Sequence, residues 1–166
     1  MFNIPEVLKI SLLEVDNAEP LAGDLFKRSF KHKIPNFPRH FVLLVNNDKD
    51  QVLTLGYVHF IQHQNMYMGG GMCVDNQALR QLPKSLRLEL NDQGGVAFYM
   101  LSEAVKKLKD CDAVFGYVGH KAAYKIDLAV GFEQTQHQHL IVYWNNKLDQ
   151  KQQQNAIQTA HEFGPF

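Results

Sequence analysis

The sequence predicts a single α/β domain of the α+β kind, a mixed and mostly antiparallel sheet flanked by helices. Three observations predict it. Apolar runs separated by polar turns fill residues 40 to 74, as in a meander of antiparallel strands. A strand, helix and strand follow one another between Ala113 and Trp144. Between these two halves, Gly94 to Lys109 carries Phe98, Leu101, Val105 and Leu108 at helical spacing. A chain of 166 residues suits one domain with a real core, here residues 1–146, followed by a polar extension at 147–166 that is helical or frayed.

Taken in order, Leu8–Val15 reads as a strand, with a helix as the alternative. Asp16 or Asn17 then caps a helix over Glu19–Phe30, whose apolar side is Leu21, Leu25, Phe26 and Phe30. Lys31–Arg39 has two prolines and reads as a loop. His40–Val45 and Gln51–Gln62 form a hairpin across the polar turn at Asn46–Asp50, and a second turn at His63–Asn65 leads into Met66–Val74. Asp75–Gln93 is interrupted by Pro83 and several charges, with a short helix expected around Leu82–Leu90. After Ala113–Val118, Gly119 breaks the strand. A helix follows with Ala122, Ala123, Ile126, Ala129 and Val130 on one face and Gly131 as its left-handed cap. His139–Trp144 is the last strand, and Gln150–Glu162 is a solvated helix or a frayed tail.

Composition bounds the function. Apolar residues make up 45% and charged ones 20%, the balance of a globular protein. Lys plus Arg and Asp plus Glu both total 17, so the chain lacks the basic excess that binding a phosphate backbone requires, and nucleic acid is not an expected partner. Cys73 and Cys111 are too few for a disulfide scaffold and fit a reducing compartment. No apolar run reaches membrane-spanning length and no leader pattern opens the chain, so a cytoplasmic protein with no membrane partner is expected.

The order of elements, clearest from Tyr67 to Trp144, resembles the Gcn5-related N-acetyltransferase family. In that family the helix between the last strands carries Asn, Ala three residues later, Tyr four later and Gly-Phe four later. Here Ala123 and Gly131-Phe132 match, His120 stands in place of the Asn, and Asp127 in place of the Tyr, with Tyr124 a turn earlier. A second family signature, Gln or Arg, two residues, Gly, one residue, Gly or Ala, corresponds to Asp92-Gln93-Gly94-Gly95-Val96-Ala97, with Asp92 replacing Gln or Arg. Glycines let a backbone approach phosphates, and the free amides of a helix N-terminus face the anion. The structural alternative is that Asn91 or Asp92 caps an ordinary helix.

The resemblance implies an acyl-CoA N-acyltransferase fold, acetyl-CoA as co-substrate and direct attack of a small amine on the thioester. It implies cofactor contacts at Met72, Cys73 and Val74 for the pantetheine arm, at Gly94, Gly95, Val96, Ala97 and Phe98 for the pyrophosphate, and at His120. Gly69, Gly70 and Gly71 are what a bulge in the Met66–Val74 strand would use, although a strand crossed closely by a bulky neighbour reads equally well.

Acetyl transfer needs a base, an acid for the leaving thiolate and a donor for the carbonyl oxygen. Tyr124 and Asp127 are the candidate acids, Asp127 only if burial raises its pKa. His59 and Asp75 are the candidate bases. Against each stands an ordinary role, a hydrogen-bonded strand histidine or a turn aspartate. By the resemblance, Phe37 and His40 line the acceptor pocket. Lys27, Arg28, Lys31, Lys33 and Arg39 read as a solvated face, and Cys73 as a buried thiol. The histidines His59, His63, His120, His137 and His139 match no ligand spacing, so no metal is expected. His139–Trp144 is a candidate edge for pairing in a homodimer. The alternative function is a degenerate member of the fold that binds coenzyme A, another ligand or a partner without catalysis, and a third is a purely structural domain.

Overall fold

The computed structural model describes residues 10–36, 39–47, 49 and 51–166. The elements run β1 (Ile10–Val15), α1 (Glu19–Phe30), β2 (Arg39–Asn46), β3 (Val52–His63), β4 (Met66–Val74), α2 (Asn76–Arg80), α3 (Lys84–Asp92), α4 (Gly95–Lys107), β5 (Ala113–Tyr117), α5 (Lys121–Val130), β6 (Glu133–Gln134), β7 (Leu140–Trp144) and α6 (Gln150–Phe163). The strands form one seven-stranded sheet in the order β1-β2-β3-β4-β5-β7-β6. All neighbours are antiparallel except β4 and β5. The mixed sheet and flanking helices are those expected from the sequence.

Successive side chains on a strand point to opposite faces, so each strand serves two layers. Phe41, Leu43 and Val45 of β2, Val58 and Phe60 of β3 and Ile141 of β7 face the layer made by α2 to α5, where Leu86, Met100, Leu101, Ala104 and Val105 are buried. Val42 and Tyr57 face α1 on the other side, with Ala22, Leu25 and Phe26. Met66, Met68, Phe115, Leu140 and Val142 face α6 on that same side through Ile157 and Ala160.

Several details differ from the sequence reading. Leu21 of α1 and Ala122 and Ala129 of α5, expected on apolar faces, are exposed, because the inward faces of these helices lie at Ala22, Leu25 and Phe26 and at Ala123 and Asp127. Asn17 does not occupy the cap position of α1, which falls at Ala18, although its Oδ1 accepts the Glu19 amide at 3.0 Å. The stretch from Asp75 to Gln93 holds two helices, because Asp75 caps α2 through the amides of Gln77 and Ala78 while Pro83 opens α3. Strand β7 is not an edge, since Ile141 and Val142 pair with β6. Neither Arg28 nor Arg39 is simply solvated. Arg28 pairs with Asp75 at 2.8 Å, while Arg39 bonds Glu14, Asp110 and the Tyr67 hydroxyl and ties β1 and β2 to the turn before β5.

The C-terminal extension is a docked helix. Asp149 and Gln152 close a reciprocal capping box at its start, and Ile157 and Ala160 bury its one apolar stripe. Asp149→Ala removes the acceptor for the Gln152 amide and is expected to cost about 1 kcal/mol, read as a shift in the urea midpoint with unchanged slope.

Candidate active site

Strands β4 and β5 pair from Met66 opposite Ala113 to Gly69 opposite Gly116, and then part. Beyond that point β4 continues to Val74 beside β3 alone. The register of β3 and β4 shows why. Val58 lies opposite Met72 and Phe60 opposite Gly69, so the single residue His59 faces both Gly70 and Gly71. This is a β-bulge, which bends the strand away from its neighbour. Glycine is required at both bulge positions by neighbours. A Cβ on Gly70 would overlap the His59 imidazole, and one on Gly71 would lie 2.8 Å from the Phe26 ring. The bulge that the glycine run suggested is therefore present, and so is the close approach of bulky neighbours offered as its rival.

A cavity of about 750 Å³ occupies the gap and reaches both faces of the sheet. On the α4–α5 side it is lined by Leu101, Ala123, Asp127 and Phe132, and on the α1–α6 side by Phe26, Phe30, His59 and Phe163. Met72 and the segment from Phe115 to His120 line its walls. The edge of β4 that follows Gly69 has no strand across the gap, so its outward peptide groups are available to a bound molecule.

His59 is 2% exposed and its Nε2 accepts the Gly71 amide at 3.3 Å, which leaves the ring proton on Nδ1 in the neutral form. Burial, and then the nearby His40 and His32, push its pKa down to about 4. It is therefore a neutral base throughout the physiological range. Across the register His40 faces it, and His40 Nδ1 shares a 2.7 Å hydrogen bond with the Tyr57 hydroxyl, itself pushed up by burial. Phe26 packs on both Tyr57 and His59.

Asp127 lies on the other side of the gap. Its carbonyl accepts the amides of Gly131 and Phe132, with Gly131 at φ +118 as the left-handed cap of α5, so the turn that ends the helix also holds Asp127 in place. The side chain is 5% exposed, and burial alone raises its pKa to about 6. A carboxyl kept protonated into the weakly acid range is an acid, and one that lines a cavity is a candidate for proton transfer.

No family model matches the sequence, and no curated protein does. Solved structures do. The ribosomal-protein-S18-alanine N-acetyltransferase of Escherichia coli superposes with a TM-score of 0.55 at 9% identity, over 86% of this chain and 97% of that one. Gcn5 of Tetrahymena gives 0.50 at 13%, over 85% and 98%, and YhhK of E. coli, solved with coenzyme A bound, gives 0.51 at 10%, over 82% and 98%. The fold is that of the Gcn5-related N-acetyltransferases.

Within this acetyltransferase fold the candidates taken from the sequence separate. His59, Met72, His120 and Asp127 line the same cavity. Tyr124 does not. It lines a smaller cavity behind α5 with Lys121, Gln134 and His139, and its hydroxyl is buried with no hydrogen-bond partner among the described residues. Asp75 is committed to capping α2 and to Arg28. Burial works against its charge, but the hydrogen bonds from Arg28, Ala78 and Gln77 prevail and hold it below the usual carboxylate range. Cys73 turns under α1 with its thiol pushed up to about 11 by burial, and Val74 packs toward the α2–α5 core. These two residues offer the gap only their backbone. His40 is in the network behind His59 and not in the lining, and Phe37 lies outside the described residues.

The glycine turn sits where the motif suggested, at the start of α4, with Gly94 at φ +100 and Gly95 at φ +89. Helix α3 runs directly into it, the Gly94 amide bonding the Asn91 carbonyl. None of Gly94, Gly95, Val96, Ala97 and Phe98 lines the large cavity, and Val96 is buried in the core. The sequence reading missed a neighbour of this turn. Arg80 of α2 and Lys84, Arg87 and Asn91 of α3 line a cavity of about 280 Å³, and no acidic residue lines it among the described residues. Its signal was present in the spacing, because Lys84, Arg87, Leu88 and Asn91 recur at three and four residues and so share one helix face.

Among the described residues no three His, Cys, Asp or Glu side chains are grouped to hold a metal ion, and no helix is long and apolar enough to cross a membrane.

Proposed function

We propose that the chain is an acetyl-CoA-dependent N-acetyltransferase that acylates a small amine by direct attack on the thioester. One observation carries this reading: the β4–β5 gap holds a neutral histidine on one face of the sheet and a protonatable buried carboxyl on the other. His59 takes the proton from the amine nitrogen as the new N–C bond forms, its Nε2 exchanging the hydrogen bond from the Gly71 amide for that proton. The Asp127 carboxyl gives its proton to sulfur as the C–S bond breaks. Solvent then returns the proton from His59 to Asp127, and no bond to the enzyme is made. The unpaired edge of β4 from Gly70 to Val74 supplies backbone groups for the pantetheine arm. The amides at the start of α4 and the cations Arg80, Lys84 and Arg87 take the phosphates.

Saturating acetyl-CoA should raise the melting temperature of the full chain, and no shift would sink the coenzyme reading. Arg87→Glu should weaken the coenzyme by about tenfold or more in calorimetry, since a charged hydrogen bond to phosphate contributes about 1.5–3 kcal/mol. Unchanged affinity would move the phosphates away from the α2–α3 cavity. Binding without turnover is the second reading, favoured by Asp127 standing where the family has a tyrosine and by Tyr124 facing a different cavity. A thermal shift with no thiol released across a panel of amines would select it.

A further inference from the structure

The acceptor side of the cavity has a composition of its own. On the α1–α6 face its walls are mainly Phe26, Phe30, Ile61, Tyr117, Phe163 and Phe166, with the imidazoles of His32 and His59 beside Phe26. The rings contact one another, Phe26 with Phe30 at 4.6 Å, Phe163 with Phe166 at 5.9 Å and Phe166 with Tyr117 at 6.0 Å between centroids. The described lining of the whole cavity contains no lysine, arginine or glutamate, and its one carboxyl, Asp127, belongs to the opposite face.

We infer that the acceptor is a monoamine carried on an aromatic body, which enters from the α1–α6 side and seats its ring among these aromatic side chains. The inference rests on the acetyltransferase reading and narrows its substrate. A polyamine or a lysine-rich peptide brings two or more cationic centres, and each buried charge needs a paired anion that this face does not offer, while an aminosugar brings several hydroxyls that this apolar face leaves without hydrogen-bond partners. A single amine behaves differently. Burial favours its uncharged form, which is the nucleophilic one, and leaves it one N–H proton to pass to His59. The aromatic body then gains apolar burial and edge-to-face packing against these rings, which adds to what the buried area alone contributes.

Helix α6 places part of this wall. Its buried Ile157 and Ala160 dock it on the sheet, and its last turn carries Phe163 into the cavity, where the ring also packs on His63 at 4.8 Å. Phe163 is 40% exposed, so truncating it tests selectivity without opening the core.

The experiment uses the full chain. Calorimetry first measures acetyl-CoA binding, and thiol release is then followed with 2-phenylethylamine and tryptamine against spermidine and a lysine-containing peptide. The expected result is a kcat/KM for the two aromatic monoamines at least about tenfold above the polycations. Phe163→Ala should raise KM for them by about fivefold to tenfold with coenzyme affinity unchanged, and Phe163→Leu should recover much of the loss. Preference for spermidine or the peptide, or an unchanged KM in Phe163→Ala, overturns the inference and leaves the acetyltransferase reading standing. Acetyl-CoA binding with no turnover of either aromatic amine also overturns it. Failure to bind acetyl-CoA is a separate result, which removes the acetyltransferase reading and this inference with it.

Discussion

Asp127→Asn is expected to lower kcat by about a hundredfold or more and, at pH 8, to make the protein more stable. The loss of rate follows from the role assigned to the carboxyl, since positioned acid catalysis contributes about 10²–10⁴-fold. The gain in stability follows from its burial. A carboxyl whose pKa rises from 3.8 to about 6 on folding favours the folded state at low pH, and that contribution is lost as pH rises through 6. Above that range the buried carboxylate costs about 3 kcal/mol, and the amide removes most of this cost. The gain should appear in urea unfolding at pH 8 and vanish at pH 4. An activity loss without a stability gain would mean that Asp127 is held charged by a partner, and unchanged activity would remove it from the chemistry.

The same variant exposes a second titration. His59 has its pKa depressed from 6.5 to about 4, so its contribution to stability is complete above 6.5 and is lost as pH falls toward 4. In the parent protein the two groups act in opposite directions over nearly the same window, His59 by about 3 kcal/mol and Asp127 by about the same. Asp127→Asn leaves the His59 limb alone. Its stability should therefore fall by about 3 kcal/mol between pH 7 and pH 4, a slope largely hidden in the parent.

Gly70→Ala is expected to cost about 2–3 kcal/mol and to abolish turnover. A Cβ there would overlap the His59 ring, which packs on Phe26 and Tyr57 and accepts the Gly71 amide. Relief must either push the ring out of this seat into the cavity or distort the bulge, and both disrupt the site. The double variant Gly70→Ala with His59→Ala should recover a large part of the stability but none of the activity, a coupling that a double-mutant cycle reads directly. Full additivity would show that the two positions do not compete for the same space. By contrast, Gly95 meets nothing within 4 Å, and its requirement for glycine comes from its positive φ alone.

Much of the fold was legible in the sequence because its signals are local. Helical spacing placed α1 at its observed bounds and α5 nearly so, and polar turns marked the ends of β3 and β4. The glycine run pointed either to a bulge in β4 or to a close crossing by a bulky neighbour, because a residue without a side chain inside a strand serves both, and both are present. Other elements were misread where distant contacts decide them. Helix α6 is polar over most of its length, and its docking depends on Ile157 and Ala160 meeting the sheet surface formed by β4, β5 and β7. The edge position of β7 was lost to β6, a strand of two residues that carries no apolar pattern to betray it.

Most of the elements, their order and the left-handed cap at Gly131 could be read from backbone preference and short-range patterning, while the bulge was one of two readings the glycine run allowed. The sequence by itself also placed His59 and Asp127 among the candidates, but it could not separate them from Tyr124 and Asp75. The tertiary structure made that separation. Register put His59 opposite the bulge, helix rotation turned Asp127 into the gap and Tyr124 away from it, and Arg28 reached 47 residues along the chain to occupy Asp75. Burial and proximity set whether a histidine is neutral or a carboxyl is an acid, and both arise only when distant segments pack together.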